Sequence, residues 1–216
     1  IESLPYDRPN TSMARFELCA ACRREYDDPL DRRFHAEPIA CPVCGPHLTF
    51  AEPGRPVTQG DEAALAAAVE VLKSGRVLAA RGIGGYHLVC DASSETAVMR
   101  LRERKRRPHK PLAVMFPQAG ADGLDALRAE LAPGGPECDA LLDPARPIVL
   151  VRRRGDYGLA PSIAPGLAEV GAMLPYSPLH HLLLDAFGGP VVATSGNVSG
   201  EPVLTEPTEA ETRLAT

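Results

Sequence analysis

Four cysteines in this chain have the spacing of metal ligands. They form two pairs, Cys19 with Cys22 and Cys41 with Cys44, in a CxxC-x18-CxxC arrangement. Each CxxC turns two thiolates toward one point, and two such pairs close a tetrahedral site that suits Zn²⁺. Because thiolates fill all four positions, the spacing predicts a structural zinc site with no position for a reactive water. The alternatives are redox-active pairs or free buried thiols, but the strand–helix context of redox motifs is absent from the surrounding sequence.

The densest cluster of positive charge extends from Arg100 to Lys110, and seven of its residues are arginine or lysine. It ends a predicted helix and continues through Pro108 into a predicted buried strand, which places fixed cations at an edge of a sheet. Such cations can neutralise a triphosphate and orient its oxygens for transfer. A solvated helix face or a nonspecific nucleic-acid patch is the competing interpretation. No GxxxxGK[ST] motif occurs, so the chain is not a P-loop enzyme.

A turn rich in hydroxyl groups follows the apolar segment 191–194. Its sequence from Thr194 to Gly200 is TSGNVSG. Such a turn can offer hydroxyls and backbone N–H groups to a phosphate, although an ordinary turn at the end of a strand has the same composition. Because Ser195 lacks a GxSxG context, we do not expect it to be a hydrolase nucleophile.

The composition restricts the class of protein. The net charge is −5 and the pI about 5.7, whereas a dominant nucleic-acid surface would make the balance basic. No apolar run approaches the roughly 18 residues of a membrane span, and the first residues lack the pattern of a signal peptide. We therefore expect a cytoplasmic protein without a membrane partner. The chain does not begin with Met and ends within a predicted amphipathic helix, so we expect a fragment of a longer protein.

Short apolar strands alternate with helices in the second part of the chain and must position these groups. Helices are predicted from an Asp61 cap to Gly75 and over 94–104, 121–131, 179–187 and 207–214. Strands are predicted over 77–80, 86–90, 112–116, 148–151, 170–173 and 191–194. This alternation indicates an α/β or α+β domain. The predicted organisation is a linker over 1–14, a cysteine module over 15–50, a second linker over 51–60 and the sheet domain over 61–216.

The chain resembles HypF-type carbamoyltransferases of hydrogenase maturation. The second half of the HypF zinc finger is similar to the segments around the cysteines and to Arg32–Ala36. The segment that joins the two halves of that finger is similar to Pro5–Met13. From Asp61 onward the chain resembles a YrdC-like domain. The motifs that carry this second resemblance are Lys105 and Arg107, Lys110–Leu112, Gly171–His181 and Ser195–Gly200.

The resemblance implies a YrdC-like twisted mixed sheet with flanking helices, preceded by the small zinc module. It implies that this domain joins carbamate to AMP, using ATP with Mg²⁺ and releasing pyrophosphate. In the whole family, carbamate arises from carbamoyl phosphate in another domain, and a further domain passes the carbamoyl group to the C-terminal cysteine of the partner HypE. If another CxxC pair precedes this chain in a longer protein, other zinc pairings stay open.

The resemblance also implies roles for individual residues. Lys105 and Arg107 would be catalytic, because they would hold the phosphates and stabilise the charge that develops at the α-phosphate. Nucleotide-binding roles fall to a larger set, of which Arg152 is the least supported: Lys110, Thr194, Ser195, Asn197, Ser199, Arg152 and Tyr86.

One difference between this chain and other YrdC-like proteins bears on the identity of the substrate. Relatives that make threonylcarbamoyl-adenylate for tRNA modification usually carry Thr-Asp-Thr in an early strand and loop, where this chain has glycines within Arg81–Gly85. The loss of hydroxyls favours bare carbamate, although the glycines could also form a simple bulged turn. Two alternatives stay open, a threonylcarbamoyl-AMP synthase and a zinc-dependent RNA-binding module. Of His180 and His181, one is expected to face inward. Cys90 is predicted to be buried, Cys138 is predicted to lie in a loop, and neither is assigned a role.

Overall fold

The computed structural model describes residues 2–155, 158–197 and 200–214 of the protein. Ser199, one of the predicted nucleotide ligands, lies outside these residues. The chain divides into two compact units, Ile1–Thr49 and Phe50–Thr216. The HypF-like and YrdC-like domain boundaries drawn from the sequence stay predictions.

The first unit contains one α-helix among its described residues, α1 (Ala20–Asp27), which begins at Cys19. Two 3₁₀ turns precede it, within the segment that the sequence assigned largely to a linker. That segment is packed rather than extended, because the buried Arg8 guanidinium donates to the carbonyls of Glu37, Ile39 and Phe16 at 2.6–2.8 Å. A small apolar cluster of Cys22, Tyr26 and Ile39 fills the interior.

The second unit is built on strands and helices that alternate along the chain. Two short strands, β1 (Thr49–Phe50) and β2 (Thr58–Gln59), pair with each other at its start. The remaining strands are β3 (Leu78–Gly82), β4 (Gly85–Asp91), β5 (Ala113–Met115), β6 (Val149–Arg152), β7 (Glu169–Met173) and β8 (Val191–Ser195). The helices are α2 (Asp61–Lys73), α3 (Glu95–Lys105), α4 (Asp125–Glu130), α5 (Gly135–Leu142), α6 (Pro178–Phe187) and α7 (Pro207–Leu214).

Within the described residues, six strands form one mixed sheet in the order β3-β4-β8-β5-β7-β6. The β5–β7 pair is parallel and the other pairs are antiparallel. Strand β8 is thus interior, with β4 and β5 as its neighbours. The predicted α/β class and the mixed sheet with flanking helices are confirmed.

The two faces of the sheet pack against different helices, because side chains along a strand alternate between faces. Val192 of β8 belongs to the core cluster that contains Leu101 of α3 and Leu127 of α4. Val191 and Ala193 of the same strand belong to the cluster that contains residues of α2 and α6. By this alternation Thr194 faces the α3 side of the sheet and Ser195 faces the α6 side.

Several predicted elements differ from the observed ones. Asp61 is the first residue of α2, and Gly60 is its N-cap. The helix predicted over 121–131 begins only at Asp125. The placement of Cys138 in a loop was wrong, because a proline at the start of α5 is compatible with a helix and Cys138 lies within it, partly buried.

Candidate active site at the end of strand β8

A buried lysine joins α3 to the end of β8. Lys105 is the last residue of α3 and is 3% exposed. Its ammonium donates to the Asn197 side-chain oxygen at 2.7 Å, to the Asn197 carbonyl at 3.0 Å, and to the Ser195 carbonyl. The Ser195 hydroxyl lies 3.4 Å away. The structure therefore brings together three residues that the sequence singled out, from segments 90 residues apart.

The serine turn is fixed by contacts of its own. The Ser195 hydroxyl donates to the Asn197 side-chain oxygen at 2.7 Å, and the Gly196 N–H donates to the Tyr86 carbonyl at 2.6 Å. A Cβ at Gly196 would lie 2.6 Å from the Tyr86 Cβ, so only glycine allows β4 to approach this closely. Tyr86 thus positions the turn through its backbone.

Arg107 lies on the α3 side of the same strand end. One terminal nitrogen lies 3.5 Å from the Thr194 hydroxyl, and the other donates to the Pro111 carbonyl at 2.7 Å. Its Nε is buried and has no hydrogen-bond partner among the described residues. One Arg107 donor is therefore left for a further partner close to Thr194, at the end of β8.

Arg102 organises the loop that carries these cations, and the sequence analysis gave it no role. Its buried guanidinium donates to the carbonyls of Arg107, Pro108 and Lys110 at 2.7–3.2 Å, and also to those of Ser162 and Ile163. One side chain thus satisfies five backbone acceptors of the loop and of a neighbouring 3₁₀ turn. Its position three residues before Lys105 on α3 was the only available signal, because one helical turn places both on one face.

The cations of the loop affect one another. Burial, together with the positive charges of Arg107 and Lys110, lowers the pKa of Lys105 to about 8. Burial also lowers the pKa of Arg107. These cations form no salt bridge with a carboxylate among the described residues, which favours an anionic ligand because an anion restores the charge balance.

Three aromatic side chains form a second group beside Ser195, on the α6 face of the sheet. His87 of β4 is the register partner of Ser195. Its ring stacks on that of His180 from α6 at 5.5 Å between centroids, and the Tyr176 ring meets the His180 ring edge-on at 4.5 Å. The Tyr176 hydroxyl lies 3.2 Å from His87 Nε2. The expectation that one of His180 and His181 faces inward is met by His180, which is 3% exposed.

Burial opposes protonation of both imidazoles. It lowers the pKa of His87, and together with the neighbouring His87 and His181 it lowers the pKa of His180 to about 4. The Nδ1 atoms of His87 and His180 are buried without a hydrogen-bond partner among the described residues. We refer to His87, Tyr176 and His180 as the imidazole pocket.

The remaining predicted nucleotide ligands are distributed unevenly. Lys110 is exposed on the loop, and its carbonyl is held by Arg102. The structure does not bring Arg152 to the site, because Arg152 is exposed on the edge strand β6 and the strands β7 and β5 lie between β6 and β8. The prediction for Arg152 failed because a position at a strand end does not specify which strand becomes the edge.

The four cysteines of the first unit come together as the spacing predicts. Their sulfur atoms lie within 4.8 Å of one another, and the Cys19–Cys41 and Cys41–Cys44 sulfur pairs are each 3.7 Å apart. A tetrahedral ion with bonds of about 2.3 Å requires sulfur separations of about 3.8 Å, so the cluster has the dimensions of a Zn²⁺ site. Backbone N–H groups lower the pKa of Cys41, and that of Cys44 to about 6, whereas burial raises the pKa of Cys22 to about 12. Two of the four thiols thus already favour the thiolate that a metal requires.

The segment that follows the second pair also fits this geometry. The Gly45 N–H donates to the Cys41 carbonyl at 2.7 Å, and a Cβ at Gly45 would lie 2.8 Å from that oxygen. The Val43 N–H donates to the Cys41 sulfur at 3.3 Å. A second group, Asp7, His35 and Glu37, lies elsewhere in this unit, where the Tyr26 hydroxyl donates to Asp7 at 2.7 Å.

Comparison with known proteins gives two family matches. A family model described as "HypF finger" matches residues 18–51. The model of the Sua5, YciO and YrdC proteins, described as "Telomere recombination", matches residues 70–216. No helix within the described part of the chain has both the length and the apolar character needed to cross a membrane.

Individual relatives agree with these matches. Carbamoyltransferase HypF of Rhodobacter capsulatus is 54% identical over 216 residues, which are 100% of this chain and 28% of that protein. Threonylcarbamoyl-AMP synthase of Escherichia coli strain CFT073 is 34% identical over 154 residues, which are 67% of this chain and 74% of that protein. The chain therefore spans less than a third of the HypF relative and most of the shorter one.

Solved structures show the same division. A crystal structure of full-length HypF in its phosphate- and nucleotide-bound form superposes with a TM-score of 0.85 at 43% identity, covering 99% of this chain and 27% of that one. Sua5 of P. abyssi in complex with L-threonine superposes with a TM-score of 0.59 at 24% identity, covering 71% of this chain and 44% of that one. The second likeness supports the fold alone.

Proposed function

Since the chain belongs to the family of Sua5, YciO and YrdC proteins and is similar over its whole length to HypF carbamoyltransferases, we propose that its sheet domain forms carbamoyl-adenylate from ATP and carbamate. The observation that carries this proposal is the convergence of Lys105 and Arg107 on the end of β8. A cationic site built around a serine turn is suited to the phosphates of a nucleotide.

In the proposed reaction, a carboxylate oxygen of carbamate attacks the α-phosphorus of ATP. The new phosphorus–oxygen bond forms as the bond to the bridging oxygen breaks, and the electron pair leaves with pyrophosphate. Arg107 stabilises the charge on the phosphate oxygens, and Lys105 does so while it holds the turn. Thr194, Ser195 and Asn197 bind the adenylate, and the protein contributes position and charge rather than a covalent nucleophile.

Mg²⁺ accompanies ATP in this proposal and neutralises charge on the triphosphate when bound. Among the described residues, both groups of three or more metal-ligating side chains lie in the first unit. This fits an ion that is held chiefly by the substrate's phosphate oxygens and by water, as is common for Mg²⁺. The sheet domain then needs no metal ligands of its own, and it contributes the positive charges of Lys105, Arg107 and Lys110 to the binding of the triphosphate.

The four cysteines are proposed to bind a structural Zn²⁺. The sulfur separations match tetrahedral coordination, and the region matches the HypF finger. Within the described chain none of the six cysteines forms a disulfide, in keeping with the reducing conditions of the cytoplasm, where we place the protein.

The remaining steps of the whole pathway are assigned to domains that HypF relatives contain beyond the region matched here. We propose that carbamate derives from carbamoyl phosphate in one of them. Another would transfer the carbamoyl group to the C-terminal cysteine of HypE, for synthesis of the cyanide ligand of [NiFe]-hydrogenase. Nucleic acid is not a proposed partner, in keeping with the net charge of −5.

The test is exchange of labelled pyrophosphate into ATP, measured with the zinc-loaded chain, ATP, Mg²⁺ and ammonium carbamate. We expect exchange that depends on carbamate and falls by about 10²–10³-fold in Arg107→Ala, since one donor to a developing charge contributes that much. The matched control is Arg104→Ala, an exposed cation on the same helix.

Exchange that requires threonine and bicarbonate instead of carbamate would identify a threonylcarbamoyl-AMP synthase, the activity named for the E. coli relative. Absence of exchange together with salt-sensitive RNA binding would replace the proposal by an RNA-binding module.

A further inference from the structure

The imidazole pocket lies next to the proposed reaction centre. His87 and Ser195 are directly paired across the β4–β8 ladder, and directly opposed residues of antiparallel strands have side chains on the same face. Ser195 is in turn held by Lys105. A substrate whose carboxylate lies beside Ser195 and Lys105 would therefore extend its other end toward His87.

The close packing of the three rings leaves room for a very small group at most. The rings of His87, Tyr176 and His180 already contact one another, with centroids 4.5–6.1 Å apart. On the neighbouring strand, a Cβ at Gly82 would lie 3.5 Å from the His87 ring. The absence of a side chain at Gly82 thus leaves a small space beside His87 that a larger residue would fill.

The hydrogen-bonding groups of the pocket favour a donor. A neutral imidazole has one N–H and one acceptor nitrogen. The Nδ1 atoms of His87 and His180 are buried without partners in the described structure, and a buried polar atom without a partner is unfavourable until a ligand satisfies it. If His87 Nε2 donates to the Tyr176 hydroxyl, its Nδ1 is an acceptor. We assign the same tautomer to His180.

We propose that the imidazole pocket binds the amino end of carbamate, with the neutral rings of His87 and His180 accepting its two N–H groups. The carboxylate then points toward Ser195, Lys105 and the α-phosphorus. This inference rests on the proposed function. It assigns the choice of acyl group to residues outside the loop that carries Arg107 and Lys110.

Acetate tests this assignment, because it has the shape of carbamate without N–H groups. Pyrophosphate exchange is measured with ammonium carbamate and with ammonium acetate as acyl donors, at matched ionic strength. In the unaltered chain we expect a preference for carbamate in kcat/KM. His180→Phe keeps a ring of similar size but removes the acceptor, so the preference falls about tenfold, while KM for ATP stays within about twofold.

Four further substitutions separate recognition from folding. His180→Asn keeps an amide oxygen near the Nδ1 position and restores part of the preference. His181→Phe, on the exposed neighbour, leaves both preference and rate unchanged. Gly82→Ser fills the space beside His87 and raises KM for carbamate, whereas Gly84→Ser, where a Cβ meets no atom within 4 Å, does not.

An unchanged carbamate preference in His180→Phe and in His87→Phe, with normal exchange, would overturn the pocket assignment and leave the proposed function intact. An equal rise of KM for ATP and for carbamate in both variants would also overturn it, since that result indicates a structural role. If the unaltered chain binds ATP but shows no carbamate-dependent exchange, the proposed function itself fails.

Discussion

The cysteine module and the sheet domain assemble their functional groups over very different distances along the chain. The Cys19 and Cys41 sulfurs are 22 residues apart in sequence, and each CxxC closes its own turn. Lys105 and Ser195 are 90 residues apart, and His87 and Tyr176 are 89 apart. A motif can specify the first site locally, whereas the second exists only after the order of the strands is fixed.

The largest effect that tests this contrast is removal of the metal. Zinc binding to small cysteine modules contributes apparent free energies of about 10–16 kcal/mol, and the cysteine module has only a small apolar cluster of its own. We expect chelation, or Cys22→Ser, to abolish hydrogen-exchange protection in residues 1–49. Protection of β8 and α3 should persist. Hydrogen exchange followed by mass spectrometry reports on both units in one experiment.

The control for this experiment is Cys138→Ser, at a partly buried cysteine outside the cluster, which should leave the zinc content unchanged. Protected amides in residues 1–49 after complete removal of zinc would show that the packing around Arg8 and Tyr26 is sufficient for folding.

The second largest effect concerns the long-range organisation of the sheet domain. Arg102→Met keeps much of the side-chain volume but removes the donor to four carbonyls of the loop and the 3₁₀ turn, and one of the two donors to the Ile163 carbonyl, which also accepts from the Leu112 N–H. We expect a loss of about 3–5 kcal/mol in the free energy of unfolding, because each buried acceptor left without a donor costs about 1 kcal/mol or more. Urea titration measures it, and Arg104→Met on the exposed face of α3 is the matched control.

Weaker ATP binding should accompany the loss of stability in Arg102→Met, since the carbonyls of Arg107 and Lys110 would lose their anchor. Equal unfolding free energies for the Arg102 and Arg104 variants would mean that the loop is held by its strand and helix rather than by the guanidinium.

The same contrast explains what could be predicted from the sequence. The sequence predicts the cysteine cluster through its spacing, the strands through apolar periodicity, and the Lys105–Ser195 group through a family motif. The role of Arg102 is not readable, because its partners at Ser162 and Ile163 lie 60 and 61 residues away. Arg152 resembled a site residue for the opposite reason, since its local context gives no information on strand order.

A smaller effect should appear in the pH dependence of ATP binding. Burial lowers the pKa of Lys105 to about 8, and an anionic ligand favours the charged ammonium. ATP affinity should therefore be highest below pH 8 and fall as the pH rises through this value, by at most about tenfold per pH unit. Calorimetry with a non-hydrolysable ATP analogue between pH 7 and 9.5 measures the slope.

Lys105→Arg supplies the control for this titration, because arginine stays charged throughout the pH range. Its affinity for the analogue should not change near pH 8. A slope that is identical in both proteins would assign the titration to another group and leave Lys105 charged through its contacts with Ser195 and Asn197.

The smallest expected effect comes from a purely local signal within the same helix. Ser94 caps α3, and its hydroxyl accepts from the Ala97 N–H at 3.3 Å. Ser94→Ala should lower the free energy of unfolding by about 1 kcal/mol, as for other N-caps, while Ser93→Ala on the exposed neighbour changes it by less. ATP affinity should not change, since Arg102 and Lys105 hold the other end of α3. A loss of affinity in Ser94→Ala as large as in Arg102→Met would show that the site depends on helix stability as a whole, and the distinction between local and long-range determinants would then not hold for this domain.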